Sequence, residues 1–207
     1  MMDSVVYEFS NLNQILNATE AYVGTPYIWG VYRLLVLPPS FPFGGMENPL
    51  MNFISPTVVT GTKSQVYVVI HEIAHSWTGD QVTMNNWEDF WLNEGFTTFI
   101  ERQVSSRLYG GDFAKVEALL GNTSLVNTIG VYGSNNTYSS IHPVLFGDNP
   151  DNSFSEMPYE KGYQLLQFMC NLVGNSAWKN FITYYIENNS LQSISAFDMQ
   201  RTWSNWV

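Results

Sequence analysis

Basic residues are scarce in this sequence of 207 residues. Eight lysines and arginines stand against eighteen aspartates and glutamates, which gives a formal net charge of −10 at pH 7. Nucleic acids and anionic membranes are bound through lysines and arginines that neutralise phosphates or lipid headgroups. The charge balance therefore argues against both as partners and favours a cationic ligand.

Cysteine is almost absent as well, and long apolar runs are missing. The single cysteine, Cys170, excludes an internal disulfide framework and fits a reducing compartment, although it also permits a secreted protein without disulfide bonds. The first residues lack a basic segment followed by an apolar run, and no stretch is long enough to span a bilayer. We therefore expect no signal peptide, no membrane partner and a cytoplasmic location.

Aromatic and apolar residues are abundant instead. Hydrophobic residues make up 45% of the chain and charged ones only 13%, with seven Trp, twelve Tyr and thirteen Phe. This composition is typical of a globular protein and not of a disordered one. A chain of this length can form one or two domains with a sizeable core. The low charge fraction indicates that part of the surface is normally covered.

The strongest motif is His71-Glu72-Ile73-Ala74-His75, which contains two of the three histidines in the sequence. If residues 66 to 78 form a helix, these histidines lie four residues apart on one face, and both imidazoles can reach one point. Two neutral imidazoles and a carboxylate suit zinc and leave a fourth position for water, as in catalytic sites. Glu72 would then face that water. The alternative is an ordinary helix with two core or surface histidines.

The carboxylate that completes this set is predicted further along the chain. Eighteen residues, 76 to 93, separate the motif from Glu94. That length allows a short loop and the start of a second helix, which is predicted to run through Glu94 to about Leu108. Glu101 shares a face of this helix with Glu94. It is either a partner that orients a ligating imidazole or a solvent-facing acid.

A second motif, Gly44-Gly45-Met46-Glu47-Asn48, is followed by Pro49. Adjacent glycines let the backbone pass close to another backbone or to a ligand. Pro49 indicates the edge of a sheet, where a peptide can add as an extra strand. Glu47 would either pair with a substrate ammonium group or be an exposed acid in a turn.

Periodicity and helix breakers predict the remaining elements. The expected elements are a helix over 10–23, a strand over 33–37, a loop over 77–84, and helices over 113–120, 158–173, 178–185 and 196–207. His142, next to a proline, is interpreted as structural and not as a ligand. Tyr159 opens one of these helices, where it either points its hydroxyl into a cleft or packs half-buried.

Three motifs resemble the gluzincin zinc aminopeptidases in their order and separations. They are Gly44-Gly45-Met46-Glu47-Asn48, the His71-to-His75 motif with Glu94, and Pro158-Tyr159-Glu160-Lys161-Gly162. More narrowly, three runs are similar to the group that contains leukotriene-A(4) hydrolase and aminopeptidase B: residues 36–49, His75-Ser76-Trp77-Thr78-Gly79, and the run from Phe90 to Gly95. The resemblance covers nearly the whole chain and is far more specific than two spaced histidines alone.

The resemblance implies an α+β fold, namely a thermolysin-like zinc metallopeptidase catalytic domain with a small mixed sheet and a mainly helical lobe. Residues 1–207 are then a single catalytic domain. Its expected parts are a sheet-rich part with the Gly-Gly-Met-Glu-Asn edge (1–60), zinc-binding helices (61–110) and a helical lobe (111–207). Family members are several times longer, so we expect flanking N- and C-terminal domains to be missing here.

The resemblance also implies roles for individual residues. His71, His75 and Glu94 resemble the ligands of one zinc ion per chain. Glu72 resembles the general base, and Tyr159 the proton donor or oxyanion stabiliser.

The implied substrates are peptides with a free N-terminal amine. Glu47 resembles the residue that anchors this amine, within a substrate-binding segment made of Gly44, Gly45, Met46, Glu47 and Asn48. The implied function is a zinc-dependent aminopeptidase that removes the N-terminal residue of a peptide.

Two other functions stay open. One branch of the family also hydrolyses epoxides on the same zinc and has an aspartate before its Pro-Tyr-Glu-Lys-Gly motif. Asp151 matches this aspartate, whereas Phe154 stands where a tyrosine often lies. Alternatively, the chain is a truncated zinc-binding domain with little activity. An endopeptidase is disfavoured, because internal peptide bonds bring no ammonium group to Glu47.

Overall fold

Helices make up most of the computed structural model, which describes residues 2–207. The α-helices of this part of the chain are α1 (Met2–Glu8), α2 (Leu12–Val23), α3 (Val66–His75), α4 (Trp91–Tyr109), α5 (Gly111–Tyr132), α6 (Gly162–Val173), α7 (Asn175–Asn188) and α8 (Ala196–Trp206). The strands are short: β1 (Leu34–Val36), β2 (Gly45–Met46), β3 (Asn52–Ile54), β4 (Val82–Met84) and β5 (Gln192–Ile194). None of the helices within residues 2–207 has an apolar run long enough to cross a lipid bilayer.

The strands form two small sheets. The first has the order β1-β3-β2, with β1 parallel and β2 antiparallel to β3, so β2 lies at an edge. The second pairs β4 with β5 in parallel. The prediction of a loop over 77–84 was therefore wrong for Val82–Met84. These residues become a strand through pairing with a segment more than 100 residues away, which local sequence does not show.

Helix α5 is much longer than the predicted 113–120. It extends to Tyr132 and, after its first residue Gly111, contains two further glycines, Gly121 and Gly130. Only Gly121 and Leu125 of this helix are buried, and several of its apolar side chains are exposed. Because no apolar stripe matches a buried face, periodicity predicted only the first part of this helix.

Helix α4 lies at the centre of the molecule. It contacts α2, α3, α5 and α6, and most of its residues are buried. When a helix is covered on all sides, its polar side chains need hydrogen-bond partners in the neighbouring elements, because an unpaired buried polar group is costly. The partners of the polar residues Glu94, Thr97 and Glu101 all lie at or beside the two histidines of α3.

A pair of glycines sets the approach of α6 to α4. A Cβ on Gly95 of α4 would lie 2.8 Å from the Cα of Gly162, the first residue of α6. A single π-helical turn, Met157–Lys161, precedes Gly162 where the sequence predicted the first turn of an ordinary helix. The glycine pair therefore brings the turn that carries Tyr159 against the helix that carries Glu94.

We expect Gly95→Ala to lower the free energy of unfolding by about 1–3 kcal/mol, because the added methyl group meets backbone that cannot rotate away. Gly130→Ala is the matched control. It also lies inside a helix, but a Cβ there has no neighbour within 4 Å, so we expect a gain of about 0.5–1 kcal/mol. Urea unfolding measures both changes. Equal effects of the two variants would contradict the close approach of α4 and α6.

Candidate active site

Three ligand atoms from α3 and α4 converge on one point. The Nε2 atoms of His71 and His75 lie 3.0 Å apart, and Oε2 of Glu94 lies 3.1 Å from the first and 3.2 Å from the second. Ligand atoms around one tetrahedral zinc ion are about 3.4 Å apart. The donor set and its spacing therefore fit a divalent ion of this kind.

The other ring nitrogen of each histidine is held by a protein oxygen. Nδ1 of His71 is 2.9 Å from Oε2 of Glu101, and Nδ1 of His75 donates to the carbonyl oxygen of Thr78 at 3.0 Å. The hydroxyl of Thr97 lies 3.1 Å from the same Nδ1. With a proton on each Nδ1, both Nε2 atoms keep a lone pair for a metal.

Glu101 thus faces the site and not the solvent. Its residue surface is only 7% exposed, which decides between the two roles that the sequence left open. Its carboxylate orients the ring of His71, as partners of ligating histidines commonly do.

The electrostatics of the site favour positive charge at its centre. Burial raises the pKa of Glu94, but when the histidines are protonated the charge of His75 and hydrogen bonds from both rings outweigh this effect and lower the pKa to about 2. Burial lowers the pKa of His75, yet Glu47 and Glu94 raise it to about 9. Buried carboxylates around two imidazoles produce a field that a cation stabilises.

Glu72 lies beside these three candidate ligands, on α3 between the two histidines. Its residue surface is 5% exposed, and burial raises its pKa to about 8 although the histidines oppose the shift. A Cβ on Gly45 would overlap the Glu72 carboxylate. A side chain at position 45 would therefore displace this carboxylate, because the edge strand β2 passes directly over it.

Glu47 follows β2 and reaches the same region. Its Oε1 atom lies 3.8 Å from Nδ1 of His75, and its side chain is largely buried, so it is not an exposed acid in a turn. Ligand atoms of Glu47, Glu72 and His75 all lie within 4.8 Å of one another. These three residues make a second possible cation set, which shares His75 with the first.

The other residues of this segment lie along the edge strand. A Cβ on Gly44 would be 3.5 Å from Val68 of α3, and the carbonyl of Asn48 accepts a hydrogen bond from Asn52 at 3.0 Å. Met46 is exposed. The segment thus runs along the outside of α3, past the histidines.

Tyr159 lies against His71. Its ring stacks on the imidazole of His71, with 5.9 Å between centroids and 26° between planes. Burial and then the charges of Glu94, Glu72 and Glu47 raise the pKa of its hydroxyl well above 10. The hydroxyl is therefore protonated at neutral pH and can act as a hydrogen-bond donor.

Aromatic side chains surround Tyr159, and of these only Phe154 was singled out in the sequence. Phe154 lies 6.3 Å from Tyr159, 6.0 Å from Phe90 and 5.8 Å from Phe43, measured between ring centroids. Phe43 and Phe154 are both about half exposed. A cavity of about 490 Å³ opens next to this cluster, between Tyr159, Phe154 and the end of α5.

His142 lies outside this constellation. Its Nδ1 is 3.2 Å from Asp89 and its Nε2 is 3.7 Å from Glu88. The histidine ties a surface segment to the turn before α4, in keeping with the structural interpretation.

Two threonines of the site were missed in the sequence. Thr78 and Thr97 hydrogen-bond to each other at 2.6 Å and together surround Nδ1 of His75. Thr78 is part of the His75-Ser76-Trp77-Thr78-Gly79 run, but it binds through its backbone carbonyl, which no side-chain pattern indicates.

Comparison with known proteins identifies the family. The peptidase family M1 domain matches residues 7–206. The chain is 42% identical over 202 residues to leukotriene A-4 hydrolase of Xenopus laevis, covering 97% of this chain and 33% of that protein. It is 38% identical over 193 residues to leucine aminopeptidase 2 of Neosartorya fischeri, covering 93% and 31%. The chain thus spans about a third of the length of these relatives.

Solved structures agree with this result. Yeast LTA4 hydrolase in complex with bestatin superposes with a TM-score of 0.95 at 33% identity, over 99% of this chain and 33% of that one. The M1 zinc metallopeptidase from Deinococcus radiodurans gives a TM-score of 0.72 at 23% identity, over 94% and 40%, which is a likeness of fold alone. Both the sequence match and the fold lead to one conclusion: the chain belongs to peptidase family M1.

Proposed function

We propose that this chain is the catalytic domain of a zinc-dependent aminopeptidase with a thermolysin-like arrangement of its site. The observation that carries the proposal is the meeting of His71, His75 and Glu94 at one point, with Glu72 between the two histidines on α3 and the Tyr159 ring stacked on His71. Membership of a peptidase family supports it.

His71, His75 and Glu94 would hold one zinc ion per chain. Zinc, when bound, acts as a Lewis acid that lowers the pKa of a water molecule and polarises a carbonyl group. Glu101, Thr78 and Thr97 hold the two imidazoles in the ligating orientation.

Glu72 and Tyr159 would handle the proton and the developing charge. The Glu72 carboxylate accepts a proton from the attacking water and returns it to the leaving nitrogen. Burial raises the pKa of Glu72, whereas a bound cation would lower it, and the balance of the two would hold the group near neutral pH, where it can perform both steps. The Tyr159 hydroxyl donates a hydrogen bond to the carbonyl oxygen as negative charge develops there.

Glu47 would confine cleavage to the first residue of a peptide. A carboxylate so close to the site can pair with the substrate's ammonium group, and the edge strand β2 can align the peptide backbone next to it. Gly44, Gly45, Met46 and Asn48 complete this proposed substrate-binding segment. The similarity to a protein named leucine aminopeptidase 2 supports the proposal that the substrates are peptides with a free N-terminal amine.

The proposed domain, residues 1–207, would work within a longer polypeptide. The relatives are about three times as long as this chain, so further domains are expected to contribute to the cleft. The proposed parts of this chain are the part that contains the three-stranded sheet with its Gly-Gly-Met-Glu-Asn edge (1–60), the zinc-binding helices (61–110) and the helical lobe (111–207).

The test is metal analysis combined with a panel of aminoacyl chromogenic substrates. We expect one zinc per chain and hydrolysis of substrates with a free amine. A chelator should abolish the activity and added zinc should restore it, while substrates with an acetylated amine stay intact. Protein that holds one zinc but hydrolyses no member of the panel would instead be a zinc-binding domain without peptidase activity.

Epoxide hydrolysis at the same site is the second candidate. It is favoured by the similarity to proteins named leukotriene A-4 hydrolase. Asp151 is exposed in a 3-10 turn, and Phe154 packs against Tyr159 without a hydroxyl. Turnover of a fatty-acid epoxide, compared before and after Glu47→Ala, tests this function, since both activities should fall if the two sites overlap.

A further inference from the structure

A buried ion pair links α4 to the turn that carries Tyr159. Arg102 donates through Nη1 to Oε2 of Glu160 at 3.0 Å and through Nη2 to Oε1 at 2.6 Å, and both residues are 5% exposed. The guanidinium carbon lies 4.1 Å from the centre of the Tyr163 ring. This two-bond contact fixes the orientation of both side chains, because the planar guanidinium matches the planar carboxylate.

Helix α5 packs directly against this ion pair. A Cβ on Gly121 of α5 would overlap the Glu160 carboxylate. A glycine is therefore required where α5 passes over the ion pair. Buried ion pairs add little net stability compared with apolar side chains of similar volume, and fixing a register is their best-supported role.

The register fixed here is that of Tyr159 relative to the metal ligands. Tyr159 directly precedes Glu160 and lies three residues before Gly162. Glu160 is bound to Arg102, and Gly162 touches Gly95, so two points on α4 hold the turn. The same helix carries Glu94 and Glu101. The glycine contact sets the distance of the turn from α4, and the ion pair sets its rotation.

We propose that Arg102 is a positioning residue for Tyr159. Through Glu160 it sets where the tyrosine hydroxyl lies relative to His71, His75 and Glu94. The inference rests on the proposed peptidase function, in which this hydroxyl stabilises the oxyanion.

The test is a double-mutant cycle in the whole zinc-loaded protein, with an aminoacyl p-nitroanilide as substrate. We expect Arg102→Met to lower kcat by about 10- to 100-fold with KM nearly unchanged, because a small displacement of a catalytic group has effects of this size. In a Tyr159→Phe background the same change should cost less than about twofold, since the hydroxyl it positions is already gone. Arg102→Lys should recover part of the loss, and Arg107→Met, an exposed arginine on the same helix, should have no effect.

Equal losses from Arg102→Met in both backgrounds would overturn the inference, because Arg102 would then act independently of Tyr159. If Arg102→Met does not fold, the pair Arg102→Met with Glu160→Gln removes both charges and enters the same cycle.

A second readout needs no activity. Fluorotyrosine incorporated at position 159 should show a changed ¹⁹F resonance in the Arg102 variant but not in the Arg107 variant. If the wild-type protein does not hydrolyse aminoacyl substrates, the proposed function is refuted, but the inference that Arg102 positions Tyr159 is not. An unchanged ¹⁹F resonance in the Arg102 variant would refute the inference about Arg102.

Discussion

Glu72→Gln is expected to lower kcat for aminoacyl substrates by at least about 10²- to 10⁴-fold, the usual contribution of a general base. Zinc content and the free energy of unfolding should stay close to wild type. The measurement is steady-state hydrolysis of an aminoacyl p-nitroanilide, together with metal analysis of the same preparation.

The expected loss follows from the position of the Glu72 carboxylate. It lies between His71 and His75 in sequence, is almost fully buried, and is covered by the edge strand at Gly45. Glutamine has the same shape and fills the same space, but its amide cannot accept a proton. The variant therefore removes the proton transfer and leaves the packing intact.

The zinc measurement distinguishes two roles of Glu72. If Glu72 is the base, the metal stays bound by His71, His75 and Glu94. If instead the cation uses the second set, Glu47 with Glu72 and His75, Glu72→Gln should lose both metal and activity. Glu187→Gln, an exposed glutamate on α7, is the control for a change of one charge.

The family was predictable from the sequence because the three motifs are local. The spacing of His71 and His75 is a property of one helix, and the comparisons confirm the family that the motifs indicated. The prediction that Glu94 lies close to the histidines depended on one further assumption, that the helix carrying Glu94 packs against the helix carrying the histidines. The roles of these residues stay predictions.

Contacts between distant segments could not be read from the sequence. Strand β4 exists only through its pairing with β5, and the link between Arg102 and Glu160 joins residues 58 positions apart. The length of α5 was missed for a related reason. Its exposed apolar residues follow no core-facing stripe, so tertiary position and not local pattern determines which face is covered.

Glu101 was only partly predictable from the sequence. Its spacing from Glu94 placed it on the right face of the helix, yet the sequence left a solvent-facing acid equally open. Only the packing of α3 on α4 decides the matter, by placing its carboxylate 2.9 Å from Nδ1 of His71.

Tyr159→Phe is expected to lower kcat by about 10²- to 10³-fold, the range found when one donor to a developing oxyanion is removed. KM should change little, because the hydrogen bond strengthens in the transition state and contributes little to substrate binding. Steady-state kinetics on the same p-nitroanilide measure both constants. The control is Tyr132→Phe. Tyr132 lies on α5 and, like Tyr159, lines the cavity of about 490 Å³ beside Phe154, and loss of its hydroxyl should leave kcat unchanged.

The pH dependence adds an independent check on this role. Burial and the nearby carboxylates raise the pKa of Tyr159 well above 10, so the hydroxyl keeps its proton at every pH where the enzyme would be assayed. Tyr159→Phe should therefore lower kcat by the same factor from about pH 6 to 9 and remove no limb of the profile. A limb that disappears in the variant would mean that Tyr159 titrates in this range and transfers a proton. Phenylalanine keeps the stacking on His71 and lacks only the hydroxyl, so the lost limb would belong to that hydroxyl. Tyr159 would then act as a proton-transferring acid and not as a neutral hydrogen-bond donor.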